Sequence, residues 1–249
     1  MIIGEKVKDA REFFNIKKYP GNFFDYLIKD NDYINKYGIL LFKQDLGDSI
    51  SGFIGYVDET PVICINNDRT IGHQNFTLAH EIGHYFLHRG ESVDDTQRDI
   101  DSHSGDEKEK DAHAFASELI YPVEFLKKDF EHALNNNLFN SKKRIELADF
   151  VNELCHKYCT SFSFTIHKLL YSIGHPKSNK IIDSVMAEVG GLNNRYNSAL
   201  YNKHANDINY KTFSPIKLME DYIMKLSDSK KISYDTGQVI LKNNLDLGV

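Results

Sequence analysis

The stretch Phe76-Thr77-Leu78-Ala79-His80-Glu81-Ile82-Gly83-His84-Tyr85-Phe86-Leu87-His88 decides how the chain is read. Its apolar residues Phe76, Leu78, Ile82 and Phe86 supply one buried side of an amphipathic helix. That helix is expected from about Thr70 to His88, closing at Arg89-Gly90, where glycine suits a C-cap. His80 and His84 stand four residues apart, about 40° around the axis, so both imidazoles project from one side and can share a metal ion. Glu81 lies beside them, placed to take a proton from an attacking water rather than to bind the metal. Neutral imidazoles suit zinc, and a catalytic zinc keeps three protein ligands and one open position.

Downstream, Glu109 offers the third ligand. It opens a segment in which Ala112, Phe115, Ala116 and Leu119 form a core-facing stripe of helical period, with small residues that permit a close approach to the zinc helix. Glu107 and Asp111 compete for the same role. Positions 109 and 111 point about 200° apart on a helix, so only one of them can face the metal. His113 shares the face of Glu109 and is a candidate to orient His80 or His84, to contact the substrate oxyanion, or to be a partly exposed helix residue. Tyr85 and Tyr121 are further candidates for that oxyanion contact. His88, one more turn along, is about 6 Å further along the axis and too far to share the ion, which leaves it a packing or surface role.

Upstream, the period changes. Residues 5–15 and 22–36 have helical spacing, with Pro20-Gly21 between them. Ile39-Leu40-Leu41-Phe42, residues 50–56 and residues 61–65 are short, β-branched and aromatic, and read as three strands, most simply an antiparallel meander. The strand at 50–56 can offer its edge to an extended peptide or simply pair within its sheet. Residues 91–111 hold nine acids against three bases and are expected to be a solvated loop running into the helix of Glu109. Helices are then expected to Tyr121, from 123 to 135, and at 142–159 and 163–173, the last two separated near Thr160-Ser161. Beyond Gly174 the signal weakens. Residues 190–213 show no clean period, and 215–227 and 233–243 look helical again.

Composition bounds the rest. The chain has 249 residues and a net charge of −6. That length allows one large domain or two small ones, and the acidic balance argues against a non-specific nucleic-acid coat. Nothing resembles a signal peptide or a membrane span, so a cytoplasmic location is expected. Three cysteines, Cys64, Cys155 and Cys159, form no disulfide framework and fit a reducing compartment. Cys155 and Cys159, four apart with His156 between, read as buried apolar groups rather than a second metal site.

Together these segments resemble the ImmA/IrrE group of metallopeptidases. The resemblance covers about Gly38 to Pro122 and rests on Ile50-Ser51-Gly52-Phe53-Ile54, Ile63-Cys64-Ile65-Asn66-Asn67 and the helix quoted above. It continues through Glu109-Lys110-Asp111-Ala112-His113-Ala114-Phe115-Ala116 and Leu119-Ile120-Tyr121-Pro122. The resemblance implies that His80, His84 and Glu109 bind Zn2+ and that Glu81 is the general base. His113 departs from the family, which usually has Asn or Asp there. It also implies a cytoplasmic endopeptidase, associated with mobile elements or stress response, whose substrate is a helix-turn-helix repressor. A rival reading is a non-proteolytic anti-repressor that sequesters the same partner. Residues 144–174 superficially resemble a helix-turn-helix, but 141–185 carries seven bases against four acids, too weak a bias to expect direct DNA binding. The expected architecture is α+β. A zinc metallopeptidase domain over 1–135 has a small antiparallel sheet packed with the H-E-x-x-H helices, and a helical region over 136–249 follows, its tail after 175 without an assigned role.

Overall fold

The computed structural model describes residues 3–29, 33–57, 59–89, 107–171, 174–175, 177–189 and the single positions 200 and 224. The expected acidic loop up to residue 106 and the expected helices at 215–227 and 233–243 lie outside the described residues, Met224 excepted. The chain runs through helices α1 (Ile3–Phe13), α2 (Phe23–Ile28) and α3 (Tyr33–Tyr37), then strands β1 (Leu40–Gln44), β2 (Gly52–Val57) and β3 (Thr60–Asn66). Helices α4 (Ile71–Leu87), α5 (Glu107–Ile120) and α6 (Val123–Asn135) follow. A 3-10 turn (Ser141–Lys143) leads into α7 (Arg144–Tyr158), α8 (Phe162–Tyr171) and α9 (Ser178–Val189). This is the α+β class expected from the sequence. The single helix expected over 22–36 is instead two, α2 and α3, and α9 runs where no helix is expected.

The sheet corrects the expected antiparallel meander. Its strand order is β1-β3-β2, with β2 antiparallel to β3 and β1 parallel to it, Leu40 opposite Val62 and Gln44 opposite Asn66. The physical reason lies in the strand faces. On β2, Ile54 is buried while Phe53 and Tyr56 are 41% and 44% exposed. On β3, Ile63, Cys64 and Ile65 are all buried. β1 is likewise buried on both faces, at Leu40, Leu41 and Phe42, so the alternating β2 takes an outer place rather than the centre of a meander. Asn66 holds the crossing between β1 and β2. Its Nδ2 donates to the carbonyls of Gly47 and Ile50 at 2.7 and 2.6 Å, and its Oδ1 accepts from Asp68 N at 2.9 Å. Burial pushes the Cys64 thiol up to about 12, so it stays protonated as a core group.

Helix α4 is the axis of the molecule. Thr70 caps its start, accepting from His73 N, and the helix is buried on nearly every side rather than on one. Asn75, within it, gathers three segments. Its Oδ1 accepts from Phe23 N at 2.7 Å, and its Nδ2 donates to Gly21 O and Cys159 O at 3.0 and 2.8 Å. The turn between α7 and α8 lies directly on the start of α4, where a Cβ on Gly72 would stand 2.5 Å from Ser161 N and 2.6 Å from Thr160 C. Backbone cannot yield to such an overlap as a flexible side chain can. Gly72→Ala is therefore expected to destabilise the protein by about 1–3 kcal/mol, outweighing the ~1 kcal/mol that alanine gains in a helix. Denaturant unfolding checks this beside Gly4→Ala in α1, where a Cβ meets nothing within 4 Å and no loss is expected.

The C-terminal helices close the same apolar core, which includes Phe14, Leu41, Ile82 and Phe115 together with Ile166, Leu169 and Val185. Asp129 of α6 accepts from Tyr121, Lys157 and Tyr158 at 3.0, 2.9 and 2.5 Å, tying α6 to α7. Lys168 of α8 is buried, with Nζ donating to both the carbonyl and the hydroxyl of Ser117 at 2.7 Å, Glu118 lying 4.0 Å away. Burial pulls its pKa from 10.5 down to about 8. A depressed lysine costs stability while it is charged in the folded protein, and stability recovers with rising pH where the unfolded chain is protonated and the folded one is not. The cost is complete below pH 8 and disappears as pH rises to 10.5. Relative to Lys168→Met, the wild type is expected to gain on the order of 3 kcal/mol across that window, measured by denaturation at pH 7 and pH 10. Among the described residues, no helix is long and apolar enough to cross a membrane.

Candidate metal centre

His80 and His84 lie on the buried α4, and Glu109 lies in the first turn of α5, where its charge suits the helix dipole. The expected stripe brings α5 down: Ala112, Phe115, Ala116 and Leu119 are all fully buried. The approach is as close as the small residues imply. A Cβ on Gly83 would meet Phe115 Cδ1 at 3.1 Å and the carbonyl oxygen of Ala112 at 3.2 Å. Glycine in the middle of His80–His84 thus lets α5 bring its carboxylate to the two rings.

The three side chains converge. His80 Nε2 lies 3.1 Å from Glu109 Oε2, His84 Nε2 lies 3.3 Å from Glu109 Oε1, and the two Nε2 atoms are 3.0 Å apart. One ligand atom from each lies within 4.8 Å of the others. Burial pushes the Glu109 carboxyl up, but hydrogen bonds and charge from His80 and His84 outweigh it and hold the group well below the usual carboxylate range. Two imidazoles and one carboxylate are a donor set that fits a catalytic zinc. Glu81, next to His80 in α4, is fully buried.

The remaining candidates separate. His113 sets its ring edge-on to His80, with centroids 4.6 Å apart, and its Nδ1 donates to Glu109 O at 3.1 Å. Phe76 covers its other side at 5.5 Å. Tyr121 is fully buried and donates to Asp129, which removes it from the oxyanion candidates. Tyr85 is half-buried, and its hydroxyl accepts from Arg89 at 3.1 Å. His88, expected to pack or face solvent, instead places its Nδ1 3.0 Å from Nδ1 of His84. The spacing of ligands alone does not reveal that contact. A histidine four residues past a ligand, where the helix stops, was the available signal.

Residues 34–137 match the IrrE N-terminal-like domain family, a segment that holds the sheet, α4, α5 and the whole converging set. Residues 34–137 thus resemble an IrrE N-terminal-like domain. The chain is also similar to the metallopeptidase ImmA of Bacillus subtilis (strain 168), 36% identical over 84 residues, which are 33% of this chain and 47% of that protein. The match thus spans about half the length of that relative. Cys155 and Cys159, outside the matched segment, are buried, and no metal-holding group among the described residues includes them.

Proposed function

We propose that this protein is a zinc-dependent, cytoplasmic metallo-endopeptidase that cleaves a helix-turn-helix transcriptional repressor and so relieves repression. The observation that carries the reading is the convergence of His80, His84 and Glu109 within 4.8 Å, with Glu81 buried beside them on the same helix. Zinc held there supplies Lewis acidity toward the scissile carbonyl and lowers the pKa of water. The chain's own groups do the rest. Glu81 takes the proton of the attacking water and passes it to the leaving amine. Glu109 and the two imidazoles hold the donor atoms in place, and His113 buttresses His80. The edge strand β2, which lies against α4 and exposes Phe53 and Tyr56, is a suitable ledge for an extended peptide.

A three-ligand set leaves a coordination position open, which favours catalysis over a closed structural site and so over a purely sequestering anti-repressor. The burial of the α7–α8 turn against Gly72 and Asn75 supports reading 144–171 as completion of the core rather than as a DNA reader. The test is to mix the zinc-loaded protein with the helix-turn-helix repressor encoded beside it and follow intact mass, with Glu81→Gln in parallel. Cleavage at a defined bond by wild type alone supports the peptidase. Binding without cleavage by both proteins moves the reading to sequestration.

A further inference from the structure

His84 offers Nε2 to the metal centre, and its other nitrogen, Nδ1, lies 3.0 Å from His88 Nδ1. An imidazole whose Nε2 lone pair faces a cation carries its proton on Nδ1. In that state His84 Nδ1–H is the donor, and His88 Nδ1 has to be the acceptor, with the proton of His88 on its own Nε2. We infer that His88 is the positioning residue for His84, fixing the ring and the tautomer in which Nε2 is aimed at the centre, an inference that rests on reading His80, His84 and Glu109 as a metal site.

The backbone makes this contact possible. Helix α4 stops at Leu87, and His88 is its C-cap, with its N–H donating to His84 O at 2.9 Å. A side chain at that point leans back toward the helix start and over the turn before it, and the two rings sit 5.2 Å apart at 47°. The usual partner of a metal-binding histidine is a carboxylate, a backbone carbonyl or a water. A neutral imidazole in that place orients the ligand without adding charge, so Glu109 stays the sole anion of the three-ligand set.

The test compares wild type with His88→Phe, which keeps a ring but has no acceptor, and His88→Asn, whose Oδ1 falls close to the position of the histidine Nδ1. Zinc and cobalt affinities are measured by competition with a chromogenic chelator, and melting of the metal-free proteins is followed in parallel. The expected result is a roughly 10–100-fold weaker affinity in His88→Phe and a near-wild-type affinity in His88→Asn, with the visible bands of the cobalt form altered only in His88→Phe. Metal-free melting stays the same in all three. Wild-type affinity in His88→Phe, equal loss in both variants, or a loss that follows a lower metal-free melting point overturns the inference while leaving the metal site standing. A wild type that takes up neither metal overturns the metal site and this inference together.

Discussion

Replacing Glu81 by Gln is expected to lower peptide hydrolysis by about 10²–10⁴-fold, the range that a positioned general base contributes, while metal affinity stays at the wild-type level. The substitution keeps the size and shape of a fully buried side chain in the middle of α4. It removes only the ability to accept the proton of the attacking water. The groups that could hold the metal are His80, His84 and Glu109, which the change does not touch. Turnover of the repressor under saturating zinc, with zinc content measured on the same samples, checks both halves. A Gln variant that hydrolyses at the wild-type rate would remove Glu81 from the mechanism.

Glu109→Gln is expected to lose metal affinity by more than about 100-fold, because loss of a group that merely orients a ligand already costs about 10–100-fold, and here the ligand itself is neutralised. Hydrolysis falls with it at limiting zinc. The fold is expected to survive, since the amide can still accept from one imidazole and donate to the other across the 3.1 and 3.3 Å separations seen for the carboxylate. Chelator competition reads the affinity, and circular dichroism of the metal-free protein reads the fold. Undiminished affinity would show that the carboxylate is not a ligand and would return Glu107 and Asp111 to consideration.

How much of this was legible in the sequence depends on the distance over which each feature is encoded. Helices α4 to α8 follow local signals: Thr70 at a cap, Pro122 before α6, Thr160-Ser161 between α7 and α8. The converging set was legible for the same reason, because His80, His84 and Glu109 sit on two helices whose small residues announce close packing. Strand order was not, since the place of β1 beside β3 depends on Asn66 tying the β1–β2 connection across the end of the sheet. The contact of His88 with His84 needed the helix to stop at Leu87, a fact about its end rather than its period. Helix α9 carries Ile181, Ile182 and Val185 at helical spacing, but the weak sequence around it masked the pattern.

The amide of Asn75 joins partners on both sides of it along the chain, 52 to 54 residues before and 84 residues after. Such long-range closures come late in folding. During synthesis, the histidines of α4 leave the ribosome well before Cys159, which supplies one of the acceptors that hold the helix in place. A nascent chain ending within α6 has both imidazoles and Glu109 but lacks the clasp on α4. The helix that carries both imidazoles is thus clasped from its C-terminal side only once α7 has arrived, so the support of the centre depends on a part of the chain made well after its own residues.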